Sequence, residues 1–181
     1  MKEIEVKIIE IDREKVEKKL RSLGATKTFD GNVETNFLDF PDRSITKANN
    51  LLRLRRIGGK TELVFKKFLK SDSAKVREEY EVSISDFQKM CEILKLIGLI
   101  SIQENRKHRT SYVLEPGVSV DIDKYVGEFS HIPEFMEIEC KNIKTIYRCA
   151  KLLGFDRQDC RPWTTPDLIN YYSEGTDRRK G

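Results

Sequence analysis

Polar and apolar residues alternate with a period of two along much of the chain. The clearest stretch is residues 3–8, where charged side chains alternate with Ile4, Val6 and Ile8. Successive side chains of a β-strand point to opposite faces, so this pattern predicts a strand with one charged and one aliphatic face. The same alternation predicts further strands within residues 52–55, 63–68, 77–82, 106–113, 120–123 and 136–140.

Four helices are predicted between these strands, because apolar residues there recur at helical spacing. Asp12 is a favourable N-cap for the first helix, which ends at Gly24. Ser85 and Gln88 have the spacing of a capping box at the start of the second helix. The predicted helices cover residues 13–23, 86–97, 143–153 and 165 to about 172.

The apolar stripes of the helices need an apolar surface, and the aliphatic strand faces provide one. The charged strand faces then point either to water, as in many antiparallel sheets, or inward. They carry Arg, Lys, Asp and Glu almost exclusively, whereas a solvated face normally mixes in Ser, Thr and Gln. We therefore expect an α+β fold in which the strands form a closed antiparallel barrel with a charged lumen and helices outside.

The chain has 181 residues, the size of one domain. We expect one domain over residues 1–172 and a polar tail over residues 173–181. The longest apolar run is residues 96–100, far short of the roughly 20 residues of a membrane span, and no apolar leader opens the sequence. A cytoplasmic location and reduced thiols at all four cysteines follow as expectations.

Charged residues make up 35% of the chain, yet the net charge is only +4. Acids and bases are thus interleaved on the strand faces. Carboxylates bind hard divalent cations, and Arg and Lys bind phosphate oxygens, so the faces suit a polyanion with metals. A nucleic-acid-binding function, suggested by a pI of about 8.8 and the Lys-rich residues 66–70, is disfavoured because the acids would repel a phosphate backbone.

Two histidines and the tryptophan are interpreted as structural residues, without a catalytic or metal-binding role. His108 and His131 lack partners at zinc spacing, so we interpret them as ordinary surface or partly buried residues. Trp163 follows Pro162 just before the last predicted helix. We expect it to anchor that helix to the core rather than to cover a barrel end.

The order of the charged motifs resembles that of the CYTH superfamily, the triphosphate tunnel metalloenzymes. The motifs are, in chain order, Glu3-x-Glu5-x-Lys7, Arg53-x-Arg55, Lys66, Arg77-x-Glu79-x-Glu81, Lys107-x-Arg109, Asp123 and Glu137-x-Glu139. The resemblance covers residues 1–172 and implies a closed antiparallel eight-stranded β-barrel, the triphosphate tunnel. Residues 165–172 look like the helix that ends the adenylyl-cyclase-like branch, with Thr165-Pro166 and Leu168-Ile169 in place of parts of its usual pattern.

The resemblance also implies a role for each matching residue. The expected ligands of Mg²⁺ or Mn²⁺ are Glu3, Glu5, Asp123, Glu137 and Glu139. The expected phosphate-binding residues are Lys7, Arg53, Arg55, Lys66, Lys107 and Arg109, of which Lys7, Arg53 and Arg55 are also expected to be catalytic. By strand parity the lumen further includes Arg77, Glu79, Glu81 and Asp121, which either join the site or form a structural ion-pair network.

The implied substrate is a small-molecule triphosphate. We expect a class IV-type adenylyl cyclase that converts ATP to cyclic AMP and pyrophosphate. The alternative is a triphosphatase acting on inorganic tripolyphosphate, thiamine triphosphate or a nucleoside triphosphate, and a second alternative is a polyphosphate- or nucleotide-binding module without turnover. We expect no nucleic-acid or membrane partner, and both a monomer and a homodimer stay open.

Overall fold

The computed structural model of the chain describes residues 2–69 and 76–177, with side chains described over residues 4–69 and 78–173. The described residues form eight strands and five α-helices, which confirms the α+β class. The strands are β1 Lys2–Ile8, β2 Thr26–Asp39, β3 Leu51–Ile57, β4 Lys60–Leu69, β5 Val76–Ile84, β6 Ile100–Glu115, β7 Val118–Val126 and β8 Phe135–Cys140. The helices are α1 Arg13–Ser22, α2 Ser44–Lys47, α3 Phe87–Leu96, α4 Ile143–Leu153 and α5 Thr165–Asp177.

The strands pair antiparallel in the hydrogen-bonded order β1-β5-β4-β3-β2-β6-β7-β8. Every strand predicted from the alternation is confirmed, while β2 and the short α2 are missed by the sequence analysis. Closure of the strands into a barrel stays a prediction.

Two compact units make up the chain, and β1, β2 and β6 have residues in both. The middle unit contains residues 1–3 and 31–107, and the terminal unit contains residues 4–30 and 108–181. The prediction of a single domain over residues 1–172 stays a prediction.

The core of the terminal unit lies on the aliphatic faces of β1, β7 and β8, which α1 and α4 cover. Its fully buried members include Leu20, Val120, Ile122, Ile138 and Ile146. Asp12 caps α1 as predicted, with its carboxylate accepting a hydrogen bond from the Lys15 amide at 3.1 Å. The helices therefore pack where the alternation predicts.

The core of the middle unit centres on Leu54 of β3 and Leu94 of α3. The predicted Ser85–Gln88 capping box is wrong, because the residue after Ser85 is the N-cap. The carboxylate of Asp86 accepts a hydrogen bond from the Lys89 amide at 2.9 Å, which sets the first turn of α3.

The last helix packs on a second apolar cluster of the terminal unit, formed mainly by Tyr125, Ile132, Phe135, Leu168 and Ile169. Trp163 packs against this cluster, which confirms that it anchors the helix. α5 runs to Asp177, beyond the predicted end near Tyr172, so residues 173–177 of the expected tail are helical. Residues 178–181 lie outside the described part of the chain.

All four cysteines are free, as expected for reduced thiols. None of the helices that the structure describes is long and apolar enough to cross a membrane.

A buried carboxylate organises the turn after β2. The carboxylate of Asp39 is fully buried and accepts hydrogen bonds from the amides of Phe40, Ile45 and Thr46 and from the Thr46 hydroxyl. Burial by itself raises the pKa of Asp39, but the hydrogen bonds outweigh it and lower the pKa. The ionised carboxylate thus holds α2 against the end of β2.

We expect Asp39→Ala to lower the free energy of unfolding by about 2–3 kcal/mol, because buried amide donors lose their acceptor. Since the folded-state pKa is lowered, this contribution is complete above the unfolded pKa of about 4 and disappears as the pH falls through the folded-state value. Urea unfolding at pH 7 and pH 3 measures both effects. Asp42→Ala is the control, because exposed Asp42 bonds only the Ser44 amide among the described contacts. If Asp39→Ala lowered the free energy of unfolding equally at both pH values, the stabilising role of the ionised carboxylate would be contradicted.

Candidate functional site

Strand register lines up the charged residues of the terminal unit in rows. Lys7 of β1 lies opposite Glu137 of β8, which in turn lies opposite Asp121 of β7. Directly opposed residues of antiparallel strands share a face, so the three side chains project together. With their ion-pair partners they form the terminal cluster, which consists of Glu5, Lys7, Arg109, Asp121, Asp123 and Glu137.

Lys7 is a buried cation in this cluster, with only 2% of its surface exposed. Its Nζ lies 2.8 Å from a carboxylate oxygen of Glu137 and also contacts Glu5. Burial by itself lowers the pKa of Lys7, but the carboxylates of Glu137 and Glu5 outweigh it and raise the pKa. Lys7 is therefore charged at neutral pH, which its predicted role in phosphate binding requires.

Arg109 of β6 is the second buried cation, and it binds carboxylates of two other strands. Its Nε and Nη2 donate to the two oxygens of Asp123 at 2.7 and 2.6 Å, a bidentate pair. Its guanidinium also pairs with Asp121 and Glu137. Burial opposes the charge of Arg109, but Asp123 and Glu137 raise its pKa.

The terminal cluster has four carboxylates and two cations, an excess of two negative charges. Asp121 shows the effect, since burial and the neighbouring Glu137 raise its pKa although Arg109 is paired with it. Hard divalent cations prefer oxygen ligands and compensate such an excess, so the chemistry of the donor set fits Mg²⁺ or Mn²⁺. Among the described side chains, however, no three potential ligands converge enough to hold a metal ion.

Two further expected metal ligands lie on the same strands. Glu139 lies opposite Glu5 in the β1–β8 register, on the face of the terminal cluster. The backbone of Glu3 pairs with that of Arg77. The side chains of Glu3 and Arg77 both lie outside the described part of the structure, so their predicted roles stay predictions.

The middle unit contains a second charged face. Arg55 of β3 lies opposite Glu62 of β4, and Lys66 of β4 lies opposite Glu79 of β5. Both opposed pairs are ion pairs. With Arg53 and Glu81, which share this face by register and parity, they form the middle cluster of Arg53, Arg55, Glu62, Lys66, Glu79 and Glu81.

The middle cluster has equal numbers of acids and bases, but the pKa values of its carboxylates shift in different directions. Burial opposes the ionised form of Glu79, yet Lys66, Arg53 and Arg55 outweigh it and lower the pKa of this carboxyl. Burial and the adjacent Glu62 raise the pKa of Glu81. Most side chains here are half-buried, so the cations of this face are more accessible than Lys7 and Arg109.

The structure thus brings together most of the predicted residues, in one cluster per unit. Lys107 of the middle unit lies two residues before Arg109 on β6 and so has the same strand parity. The sequence analysis missed Glu62, although its parity with Lys66 on the same strand carries the signal.

Tyr125, which lies in the terminal unit, is the second residue that the sequence analysis missed. It follows Asp121 and Asp123 at strand parity on β7, is 2% exposed, and has its pKa raised by burial and by Glu137. Phe135 likewise shares the face of Glu137 on β8, and the two aromatic rings lie 5.6 Å apart. The charged face therefore ends in an apolar layer, on which α5 packs.

Comparisons with known proteins agree with this arrangement. A protein of Methanocaldococcus jannaschii, named as a candidate adenylate cyclase, is 31% identical over 156 residues, covering 84% of each chain. A solved structure from Pyrococcus horikoshii OT3 superposes with a TM-score of 0.76 at 25% identity, covering 93% of this chain and 99% of the other.

A more distant solved structure shows the fold alone. It is a protein from Hippeastrum, described as a candidate adenylyl cyclase with a dominant triphosphatase activity. It has a TM-score of 0.60 at 18% identity and covers 85% of this chain and 88% of the other.

The family model of the CYTH domain matches residues 1–145, which include both charged clusters. The motifs, the paired charged strands and these similarities lead to one conclusion. The chain belongs to the CYTH domain family.

Proposed function

We propose that this protein is a divalent-metal-dependent enzyme that acts on the phosphoanhydride chain of a small-molecule triphosphate. The observation that carries the proposal is the terminal cluster, where buried Lys7 and Arg109 lie among an excess of carboxylates. Placing ions in a buried site is costly unless they are compensated, and clusters of buried titratable groups are typical of functional sites. A triphosphate with its metal supplies both signs of charge that the cluster can bind.

Each type of side chain has a distinct task in the proposal. Lys7 and Arg109 bind phosphate oxygens in the terminal unit, and the cations of the middle cluster, Arg53, Arg55 and Lys66, also bind phosphate. Glu5, Asp123, Glu137 and Glu139, with Glu3, hold Mg²⁺ or Mn²⁺. The bound cation supplies charge neutralisation at the phosphate groups. Phosphoryl chemistry depends mainly on such positioning and neutralisation, so no further nucleophilic side chain is needed.

Two reactions are compatible with the same phosphate-binding residues. In the first candidate, adenylyl cyclisation, the ribose 3′-hydroxyl attacks the α-phosphorus of ATP and pyrophosphate leaves. The name of the relative from Methanocaldococcus jannaschii favours this reaction. In the second candidate, triphosphate hydrolysis, water attacks the γ-phosphorus. Both clusters consist of charged groups suited to phosphate, which favours this reaction.

Product analysis separates the two reactions. Purified protein is incubated with ATP and Mg²⁺ or Mn²⁺, and the nucleotides are separated by chromatography. Cyclic AMP with pyrophosphate identifies a cyclase, whereas ADP with phosphate identifies a triphosphatase. If ATP is unchanged, inorganic tripolyphosphate and thiamine triphosphate are the next substrates. Binding without any product from all three would leave only the binding module and contradict the enzyme.

The metal requirement has its own test in Glu5→Gln. Glu5 contacts Lys7 and is about one-third exposed, so its loss should spare the fold. We expect the variant to need about tenfold or more Mg²⁺ or Mn²⁺ for half-maximal activity, because one anionic oxygen ligand is gone. Metal titration of the activity measures the change, with Glu115→Gln as control, since Glu115 pairs with Arg148 outside both clusters. An unchanged titration curve would remove Glu5 from the ligand set.

A further inference from the structure

The segment between α4 and α5 returns to β1 and pairs with it at one residue. The amide of Arg161 donates to the carbonyl of Lys7 at 2.8 Å, and the amide of Lys7 donates to the carbonyl of Arg161 at 2.8 Å. Because both backbone groups of Lys7 point to Arg161, its opposition to Glu137 is a non-hydrogen-bonded pair. Arg161 therefore lies along the edge of β1 that faces away from β8.

This isolated antiparallel bridge fixes the face to which Arg161 belongs. Directly opposed residues of an antiparallel pair project their side chains to the same side. The row Asp121, Glu137 and Lys7 is thus extended by Arg161 on the charged face of the terminal unit. The backbone of Arg161 therefore lies next to that of Lys7 on the charged face, although its segment has no period-2 alternation.

The guanidinium of Arg161 is held by two aromatic rings. Its Cζ lies 4.5 Å from the ring centre of Trp163 and 5.8 Å from that of Tyr171. A cation–π contact uses none of the hydrogen-bond donors of a guanidinium, so its N–H groups stay available for a ligand. Trp163 itself packs against the second apolar cluster, so its contact restricts the position of the guanidinium.

The N–H edge of Arg161 lacks a partner where one is expected. Its Nε is buried and has no hydrogen-bond partner among the described residues. Leaving a buried donor on a charged group unsatisfied is costly, and such groups are normally paired. Arginine binds phosphate side-on through Nε and a terminal nitrogen, the edge that includes this unpartnered atom.

We propose that Arg161 is a further phosphate-binding residue, which donates from its Nε edge to a phosphate oxygen of the triphosphate beside Lys7. This inference rests on the proposed function and adds to its site a residue beyond the family match, which ends at residue 145. Trp163 and Tyr171 act as its support, restricting the position of the guanidinium while its edge binds the ligand. The excess negative charge of the terminal cluster also favours a third cation there.

The test uses inorganic tripolyphosphate as the probe, titrated calorimetrically into the full-length protein with and without Mg²⁺. We expect Arg161→Gln to raise the Kd about 10- to 100-fold, as for loss of a charge-assisted bidentate contact. Arg161→Lys should show a smaller rise, because a lysine keeps the charge but not the planar edge. Arg157→Gln is the matched control, since Arg157 stacks on Tyr147 at 4.8 Å but takes no part in the bridge to β1.

Thermal melting of each variant separates binding from folding. A folded Arg161→Gln protein with the wild-type Kd would overturn the inference and leave Arg161 a structural residue. If Arg161→Gln does not fold, Arg161→Lys decides, and a folded Lys variant with the wild-type Kd overturns the inference as well. Failure of the wild-type protein to bind tripolyphosphate, ATP or thiamine triphosphate would instead overturn the proposed function itself.

Discussion

Replacing Arg109 with methionine should lower the free energy of unfolding by about 3–5 kcal/mol, the usual cost of removing one partner from a buried ionic network. Arg109 is 7% exposed, and its guanidinium binds Asp121, Asp123 and Glu137 at once. Methionine preserves much of the volume but leaves these carboxylates buried against one another. Turnover should fall by at least 100-fold, since the variant also loses a cation that we propose binds phosphate.

Urea unfolding and steady-state kinetics measure the two effects of Arg109→Met. Arg148→Met is the matched control, because Arg148 has a single described carboxylate partner, Glu115, and lies at the surface. Its unfolding midpoint and turnover should stay close to those of the wild type. A wild-type midpoint for Arg109→Met would show that Arg109 does not hold the terminal cluster together.

Arg55→Ala should reduce turnover by about 100- to 1,000-fold, with a smaller loss of folding stability than Arg109→Met. The expected loss in rate is that of removing one preorganised charge-stabilising donor from an active site. The loss of folding stability should be smaller than for Arg109→Met, because the Arg55 side chain is 18% exposed and its described ion-pair partner is one carboxylate, Glu62, instead of three. Steady-state kinetics with the substrate found by product analysis, together with thermal melting, measures both quantities.

The neighbouring arginine provides the control for Arg55. Arg56 follows it on β3 but points to the opposite face, where its guanidinium stacks on Phe87 at 4.5 Å. Arg56→Ala should therefore leave turnover unchanged, although both variants lose one positive charge from the same strand. Near-wild-type turnover in Arg55→Ala, or equal losses in both variants, would exclude a specific role for Arg55.

Local pattern predicts much of this fold because its strands are amphipathic. The alternation of Glu5, Lys7 and their aliphatic neighbours fixes both the strand and its charged face. Helix caps also depend on neighbouring residues alone, and the Asp12 carboxylate accepts a hydrogen bond from the Lys15 amide as expected. The predicted N-cap of α3 is placed one residue too early. Asp86 is as good a cap as Ser85, and the sequence pattern does not distinguish the two.

The missed strand β2 shows where local pattern fails. Its first half is mostly exposed and polar, and only from Val33 onward do alternate residues become buried. Residues 33–38 pair with β3, where Thr35 lies opposite Arg55, and β6 is the other hydrogen-bonded neighbour of β2 in the sheet. A polar segment of this kind becomes a strand because a neighbouring strand pairs with it, which no single-segment pattern contains.

The sequence by itself determined which residues carry charge, which strand face each one occupies and the family to which the order of the motifs belongs. Only the tertiary structure decided which charges meet, because pairing depends on the register of strands far apart in the chain. Arg109 binds Asp123 and Glu137 from two other strands, and Arg161 reaches β1 through a single bridge. The burial that gives these contacts their energy likewise exists only once the strands have paired.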